Sequence, residues 1–265
     1  MNTAHFPAGT DERPVVITRV AEQEWHALAG THVVGCGDVA RRPDGRIFVS
    51  IDAWHGAAFG QLVEAMLADL PRPLYTLVDE ADREAKSRWE RVGFTIRRRE
   101  WEYFVPTDPR VTGLDAVRPP SGVTIVPAGE AAEGPLRALD RALREEIEAT
   151  VGWQAMPAEV LPRPHGVTVV DPSKYAVAAA SDQYVGLLRL APVTRLPRIG
   201  LIAVRAGWRR RGTARALLAH VLGSLHRTGI ERAAAEVNES NGAATALFDG
   251  IGARRASSNL ELVCR

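Results

Sequence analysis

The sequence predicts an α/β (α+β) fold, a mixed sheet with helices packed on it, built as two related halves of which the first is abbreviated. Three observations carry this. Short β-rich runs alternate with longer helical patterns along the chain. The stretch Thr107–Gly122 concentrates Pro, Gly and polar residues between two periodic regions, the composition of a connection. A strand–helix unit in the first half, Val78–Phe94, lies without a gap on Val237–Ala253 of the second, with Val78/Val237, Glu80/Glu239, Ala85/Ala244 and Gly93/Gly252 identical. Asp82/Asn241, Trp89/Phe248 and Val92/Ile251 are chemically close, and the helices Ala57–Leu70 and Gly212–Leu225 align ahead of them. We divide the chain into an N-terminal domain over 14–108, a linker over 109–122 and a C-terminal domain over 123–265.

The elements follow in order. Val15–Val20 and Arg46–Ile51 read as strands, and Arg42–Arg46 carries turn chemistry joining Thr31–Val39 to Ile47–Ile51 as a hairpin. After the linker come a strand at Val123–Val126, a helix over Ala131–Thr150, a Pro-rich loop, and strands at Tyr175–Ala180, Tyr184–Leu190 and Ile199–Val204. From Ala214 the apolar residues Leu217, Leu218, Val221, Leu222 and Leu225 keep the i, i+3, i+4 spacing of a helix that buries one face. A strand Arg232–Val237, a helix Asn241–Ile251 and a strand Leu260–Cys264 complete the half.

Composition narrows the function classes. With 46% hydrophobic and 25% charged residues in 265, the chain can bury two ordinary cores. A formal net charge of +1 gives no general attraction for phosphate backbones or anionic lipid, so no nucleic acid and no membrane is expected as partner. Cys36 and Cys264 are too few for a disulfide framework, no run of eighteen apolar residues occurs, and Met1–Pro7 has no basic segment leading into an apolar one. A cytoplasmic protein, monomer or homodimer, is expected.

The most informative stretch is Ile202–Leu218: a strand ends, turns through an Arg/Gly segment and opens a helix. The first N–H groups of a helix lack intrahelical partners and sit at the positive end of its dipole, so they bind phosphate oxygens. Gly212 and Ala214 lack bulk where backbone must approach a ligand, and Arg209, Arg210 and Arg211 add charges suited to a diphosphate. Arg209-x-x-Gly212-x-Ala214 resembles the R/Q-x-x-G-x-G/A signature of the GNAT family of N-acetyltransferases, and Asn241-x-x-Ala244-x-x-Leu247-Phe248-x-x-x-Gly252-Ala253 resembles that family's second motif. The resemblance covers most of 123–265 and, weakly, 15–108, so the whole looks like two GNAT-like acyl-CoA N-acyltransferase domains in tandem, the architecture of mycothiol-synthase-like acetyltransferases.

That resemblance implies acetyl-CoA as donor and an amine as acceptor. It places the pantetheine arm on the backbone of Ile202, Ala203 and Val204, the diphosphate on Arg209, Arg210, Arg211, Gly212, Thr213, Ala214 and Arg215, and a CoA contact on Asn241. An N-cap is an equally good reading of Asn241. It also makes Glu236, at the end of its strand, the candidate general base; a salt-bridged surface residue is the plainer reading. Many family members carry a tyrosine at Phe248 that protonates the departing thiolate, a role Phe cannot fill, which leaves Tyr184, Ser240, water, or a thiolate that departs unaided. The acids Asp140, Glu145, Glu146 and Glu148, with Trp153, could draw a cationic amine toward Leu136–Pro164, though a merely solvated acidic helix face is the plainer reading.

In the first half the aligned stretch is Trp54–Phe59, without arginine and with Phe59 at the place of Ala214, so no CoA is expected there. Two other patterns carry no chemistry. Gly35-Cys-Gly-Asp-Val-Ala40 imitates a dinucleotide fingerprint but runs into a turn instead of a helix. His32 with Cys36, and His220 with Glu239, lack the further ligands a zinc site needs, so no metal is expected. The function expected is N-acetylation of a primary amine on a small molecule or peptide; a non-catalytic acyl-CoA sensor is the alternative.

Overall fold

The computed structural model describes residues 14–42, 44–150, 152, 170–191 and 196–265. The first half runs β1 (Val15–Ala21), β2 (Glu24–Ala29), β3 (His32–Arg41), β4 (Ile47–Ala53), α1 (Gly56–Asp69), β5 (Leu74–Asp79), α2 (Arg83–Arg91) and β6 (Thr95–Pro106). A short helix α3 (Pro109–Thr112) follows, then β7 (Val123–Val126), α4 (Glu133–Glu148), β8 (Tyr175–Ala180), β9 (Gln183–Ala191), β10 (Arg198–Val204), α5 (Thr213–Arg227), β11 (Arg232–Asn238), α6 (Gly242–Asp249) and β12 (Arg254–Cys264). No helix among the described residues is long and apolar enough to cross a membrane.

The twelve strands among the described residues join one sheet, in the order β1-β2-β3-β4-β5-β12-β6-β11-β10-β9-β8-β7. The last strand of each half therefore leaves its own half: β12 inserts beside β5, and β6 beside β11. The registers repeat across this exchange. Leu77 faces Glu261 where β5 meets β12, and the aligned residue Glu236 faces Glu102 where β11 meets β6. Glu80 N–H donates to the Ser258 carbonyl at 2.9 Å, and its counterpart Glu239 N–H donates to the Arg99 carbonyl at 3.0 Å. The Arg99 side chain clasps both of these glutamates, Glu80 at 2.6 Å and Glu239 at 2.8 Å.

Alternation along the exchanged strands sorts residues onto two faces. Tyr103, Val105, Ala235 and Val237 join the core beneath α5 and α6, while Leu260, Leu262 and Cys264 join the core beneath α1 and α2. On the opposite face α4 covers the second half, burying Leu136, Leu139 and Leu143 against Tyr175, Val177, Leu187 and Leu201. The segment read as a linker contributes Leu114 to the second core.

Two readings need correction, and a third holds. The run Glu24–Ala29, unassigned in the sequence, is β2; its buried residues are Trp25, Ala27 and Ala29. The final strand starts at Arg254, six residues before the expected Leu260, because its polar first half pairs with β6 across a bulge between Arg255 and Ser257. The glycines of the dinucleotide-like stretch lie inside β3: a Cβ on Gly37 would stand 2.6 Å from Met66 Sδ, and one on Gly35 3.1 Å from Leu62 Cδ1. They let α1 lie close on the sheet.

Glu261 is fully buried at the exchange, held by Arg46 at 3.1 Å, Arg98 at 3.0 Å and Arg97. A buried charge is tolerable only with such partners, and removing one side leaves the others uncompensated. Glu261→Ala is expected to lower unfolding free energy by about 3 kcal/mol, read as a lower midpoint in urea.

Candidate functional site

β10 and β11 start parallel and paired, Arg198 with Ala234 and Ile199 with Ala235, and then part. β10 stays on β9 as far as Val204↔Gly186, with a bulge between Ile199 and Leu201. The edge of Leu201–Val204 that faces β11 is thus left without a strand partner. Between the parted strands opens a slot that crosses the sheet. On the α6 side it is lined by Asn241, Ala244 and Phe248; Glu100 and Glu236 line it too, and both lie on the face that α4 covers.

At the end of β10 a 3-10 turn, Ala206–Trp208, leads into the arginine run. Arg210 has φ 60° and Gly212 φ 90°, left-handed values that turn the chain into α5. A side chain at Gly212 is strained by that φ although open space surrounds it. Gly212 is the N-cap of α5 and offers no side-chain cap, so the leading N–H groups of the helix have no intrahelical acceptor. Arg209, Arg210, Arg211 and Gly212 are exposed; Thr213 is buried, with Oγ1 3.4 Å from the Trp208 carbonyl.

The arginines do not play equal parts. Arg209 donates from Nε to the Val204 carbonyl at 2.9 Å and from Nη2 to Glu146 at 3.0 Å. Glu146 also accepts from Arg205 Nε at 2.7 Å and from the Ala206 N–H at 2.8 Å. One carboxylate of α4 thereby anchors the loop. Arg211 lies over the Trp208 ring at 5.4 Å, and Arg215 reaches toward the Gly250 carbonyl at 3.4 Å.

An exposed, uncapped helix start with arginines beside it, opening into parted strands, suits a ligand with a phosphate head and a narrow arm. Residues 163–261 match the family model of the acetyltransferase (GNAT) domain. No curated protein matches the chain. Among solved structures, a GCN5-related N-acetyltransferase from Sphaerobacter thermophilus is similar over 93% of this chain and 82% of its own, with TM-score 0.65 at 20% identity. A tandem GNAT protein from the clavulanic acid biosynthesis pathway is similar over 91% and 82%, with TM-score 0.64 at 14% identity. A GCN5-related N-acetyltransferase from Kribbella flavida is similar over 95% and 89%, with TM-score 0.58 at 15% identity. At these identities the likeness is one of fold, and it extends over both halves.

Within the matched residues, Ile202 and Ala203 are half-buried and Val204 buried along the open strand edge. Asn241 is the N-cap of α6, its Oδ1 accepting from Ala244 N–H at 3.1 Å, and the residue also lines the slot. Glu236 lines the slot as well, with Arg198 Nη1 3.2 Å away. Of the acids expected to draw the acceptor, Asp140 is buried against Arg144 at 2.6 Å and Glu146 holds the loop, so neither faces an open cleft; Glu145 and Glu148 are exposed, and Trp153 lies outside the described residues. Phe248 stacks on Tyr103 at 5.5 Å, and the Tyr103 hydroxyl is committed to Asp249 at 3.0 Å and Arg255 at 2.9 Å.

Glu100 escaped the sequence reading. It stands on β6, in the other half of the sequence, and reaches the slot only through strand exchange. A signal existed: Arg98, Glu100 and Glu102 occupy alternate positions, a polar face of a strand.

In the first half β4 and β5 part in the same way after Ile47↔Leu74 and Phe48↔Tyr75. Large aromatic side chains pack in the core beside these strands. Phe59 packs edge-on against Trp89 at 5.1 Å, and Trp89 against Phe94 at 4.7 Å, all three buried. Phe59→Ala is expected to cost about 3 kcal/mol of stability while leaving acetyl-CoA affinity unchanged, measured by denaturation and calorimetric titration on one preparation.

Proposed function

We propose that the protein is an acetyl-CoA-dependent N-acetyltransferase that acts on a primary amine of a small molecule or peptide, by direct acyl transfer in a C-terminal domain over 123–265. The observation that carries the proposal is the parting of β10 from β11 directly behind the exposed turn at Gly212. Amides of Arg211–Arg215 would bind the diphosphate, with Arg209, Arg210 and Arg211 supplying charge. The open backbone edge at Ile202, Ala203 and Val204 would pair with the amides of the pantetheine arm, and Asn241 would border it. The first half, whose aligned stretch Trp54–Phe59 is without arginine, binds no CoA. With two free cysteines and no apolar spanning helix among the described residues, we place the protein in the cytoplasm.

The slot gives donor and acceptor opposite faces of the sheet. Glu236, the base expected from the sequence, is proposed as the carboxylate that receives the amine. No protein acid is assigned for the thiolate: Tyr184 accepts from Ala132 N–H at 3.0 Å and Ser240 donates to Asn238 at 2.9 Å, and neither lines the slot. A free thiol ionises near pH 8.5, about the acidity at which a thiolate leaves without help.

Calorimetric titration with acetyl-CoA should show one saturable site per chain, weakened about tenfold or more by Gly212→Glu and less by Arg211→Ala. Glu236→Gln should lower acceptor kcat/KM about tenfold or more with acetyl-CoA affinity unchanged. Phe248 favours a second reading, a non-catalytic acyl-CoA-binding module. It requires tight binding with no thiol release in the presence of any primary amine.

A further inference from the structure

We infer that Glu100, carried by the strand that the N-terminal half inserts into the acetyltransferase half, takes the proton from the acceptor amine, while Glu236 holds the ammonium. The inference rests on the proposed acetyltransferase function and deepens it. Glu100 and Glu236 line one slot on neighbouring strands, since β6 pairs with β11 along its length, Glu102 opposite Glu236 and Glu100 opposite Asn238. Residues two apart on such strands stand diagonally within reach of long side chains. Their surroundings divide the labour. Glu236 is about one-third exposed and paired with Arg198 at 3.2 Å, a carboxylate suited to electrostatic capture. Glu100 is 8% exposed, at the wall of the slot, with Arg98 3.0 Å away.

Charged groups reach Glu100 from each neighbouring element: Arg98 on its own strand, Glu236 on β11, Glu261 on β12, and Arg42 beyond the end of β3. Burial raises its pKa above the ordinary carboxylate value, Arg98 and Arg42 oppose the rise, and Glu236 and Glu261 add to it. A carboxylate with raised proton affinity is a better base near neutral pH. The balance is simple. One N–H proton of the alkylammonium passes to the Glu100 carboxylate, the freed electron pair forms the N–C bond, the C–S bond breaks with its pair on sulfur, and the second proton lost by nitrogen goes to the thiolate. Glu100 returns its proton to solvent.

The test uses the full-length protein with acetyl-CoA and ethylamine, a primary amine small enough to enter any amine site, and follows thiol release against pH. Glu100→Gln should lower kcat about a hundredfold or more and remove the acidic limb of the profile, with acetyl-CoA affinity unchanged. Glu100→Asp should recover part of the rate and keep the limb. Glu236→Gln should raise the KM for ethylamine and keep the limb. Because folding raises the Glu100 pKa, its ionised form weakens the fold as pH rises from the unfolded value through the folded one, so Glu100→Gln should not lower the Tm at neutral pH. A Glu100→Gln protein with wild-type kcat and profile, loss of the limb in Glu236→Gln instead, or loss of acetyl-CoA binding in Glu100→Gln overturns the inference. A wild-type protein that does not accelerate ethylamine acetylation overturns the acetyltransferase proposal itself.

Discussion

The exchange of β6 and β12 is the constraint on which the rest of the molecule depends. A strand in mid-sheet must satisfy both rows of backbone groups, and each of these two finds both of its partners in the other half. Neither half could leave without exposing three unpaired strand edges, because the pairings β5–β12, β12–β6 and β6–β11 all cross between them. The buried Glu261 with its arginines and the Arg99 clasp on Glu80 and Glu239 sit at this seam, and both draw groups from the two halves. The clasp is partly exposed and adds little energy; the buried cluster fixes the seam, because any misplaced pairing would strand its charge.

The exchange also explains what a half without a phosphate turn contributes. Its β4 and β5 part as β10 and β11 do, and Phe59, Trp89 and Phe94 pack together in the core beneath α1 and α2. Its last strand meanwhile becomes the neighbour of β11 and brings Glu100 to the slot between β10 and β11.

Much of the second half was legible because its signals are local. Strand and helix periods from Val123 to Val237, the glycine at a left-handed turn and the cap at Asn241 are properties of a few consecutive residues, and each falls where the pattern put it. The gap-free alignment of the two halves was legible too, and the sheet registers follow it. β6 was not, because four consecutive charged residues, Arg97–Glu100, mask its alternation, and their pairing partners lie on β12 and β11, far along the chain. The same distance hid Glu100. It misplaced Asp140 and Glu146 as well: a helix pattern shows which face is polar, but not that Arg144 and the Arg205–Arg209 loop would claim those acids.

The central claim is that the parted edge of β10 and the start of α5 form one donor site. Amide hydrogen exchange with and without acetyl-CoA tests it most directly, since a ligand that pairs with backbone slows exchange where it pairs. The account predicts slowed exchange at Ile202–Val204 and at Arg211–Arg215, with the Trp54–Phe59 stretch unchanged. Protection confined to the first half, or none at either segment at saturating acetyl-CoA, would contradict it.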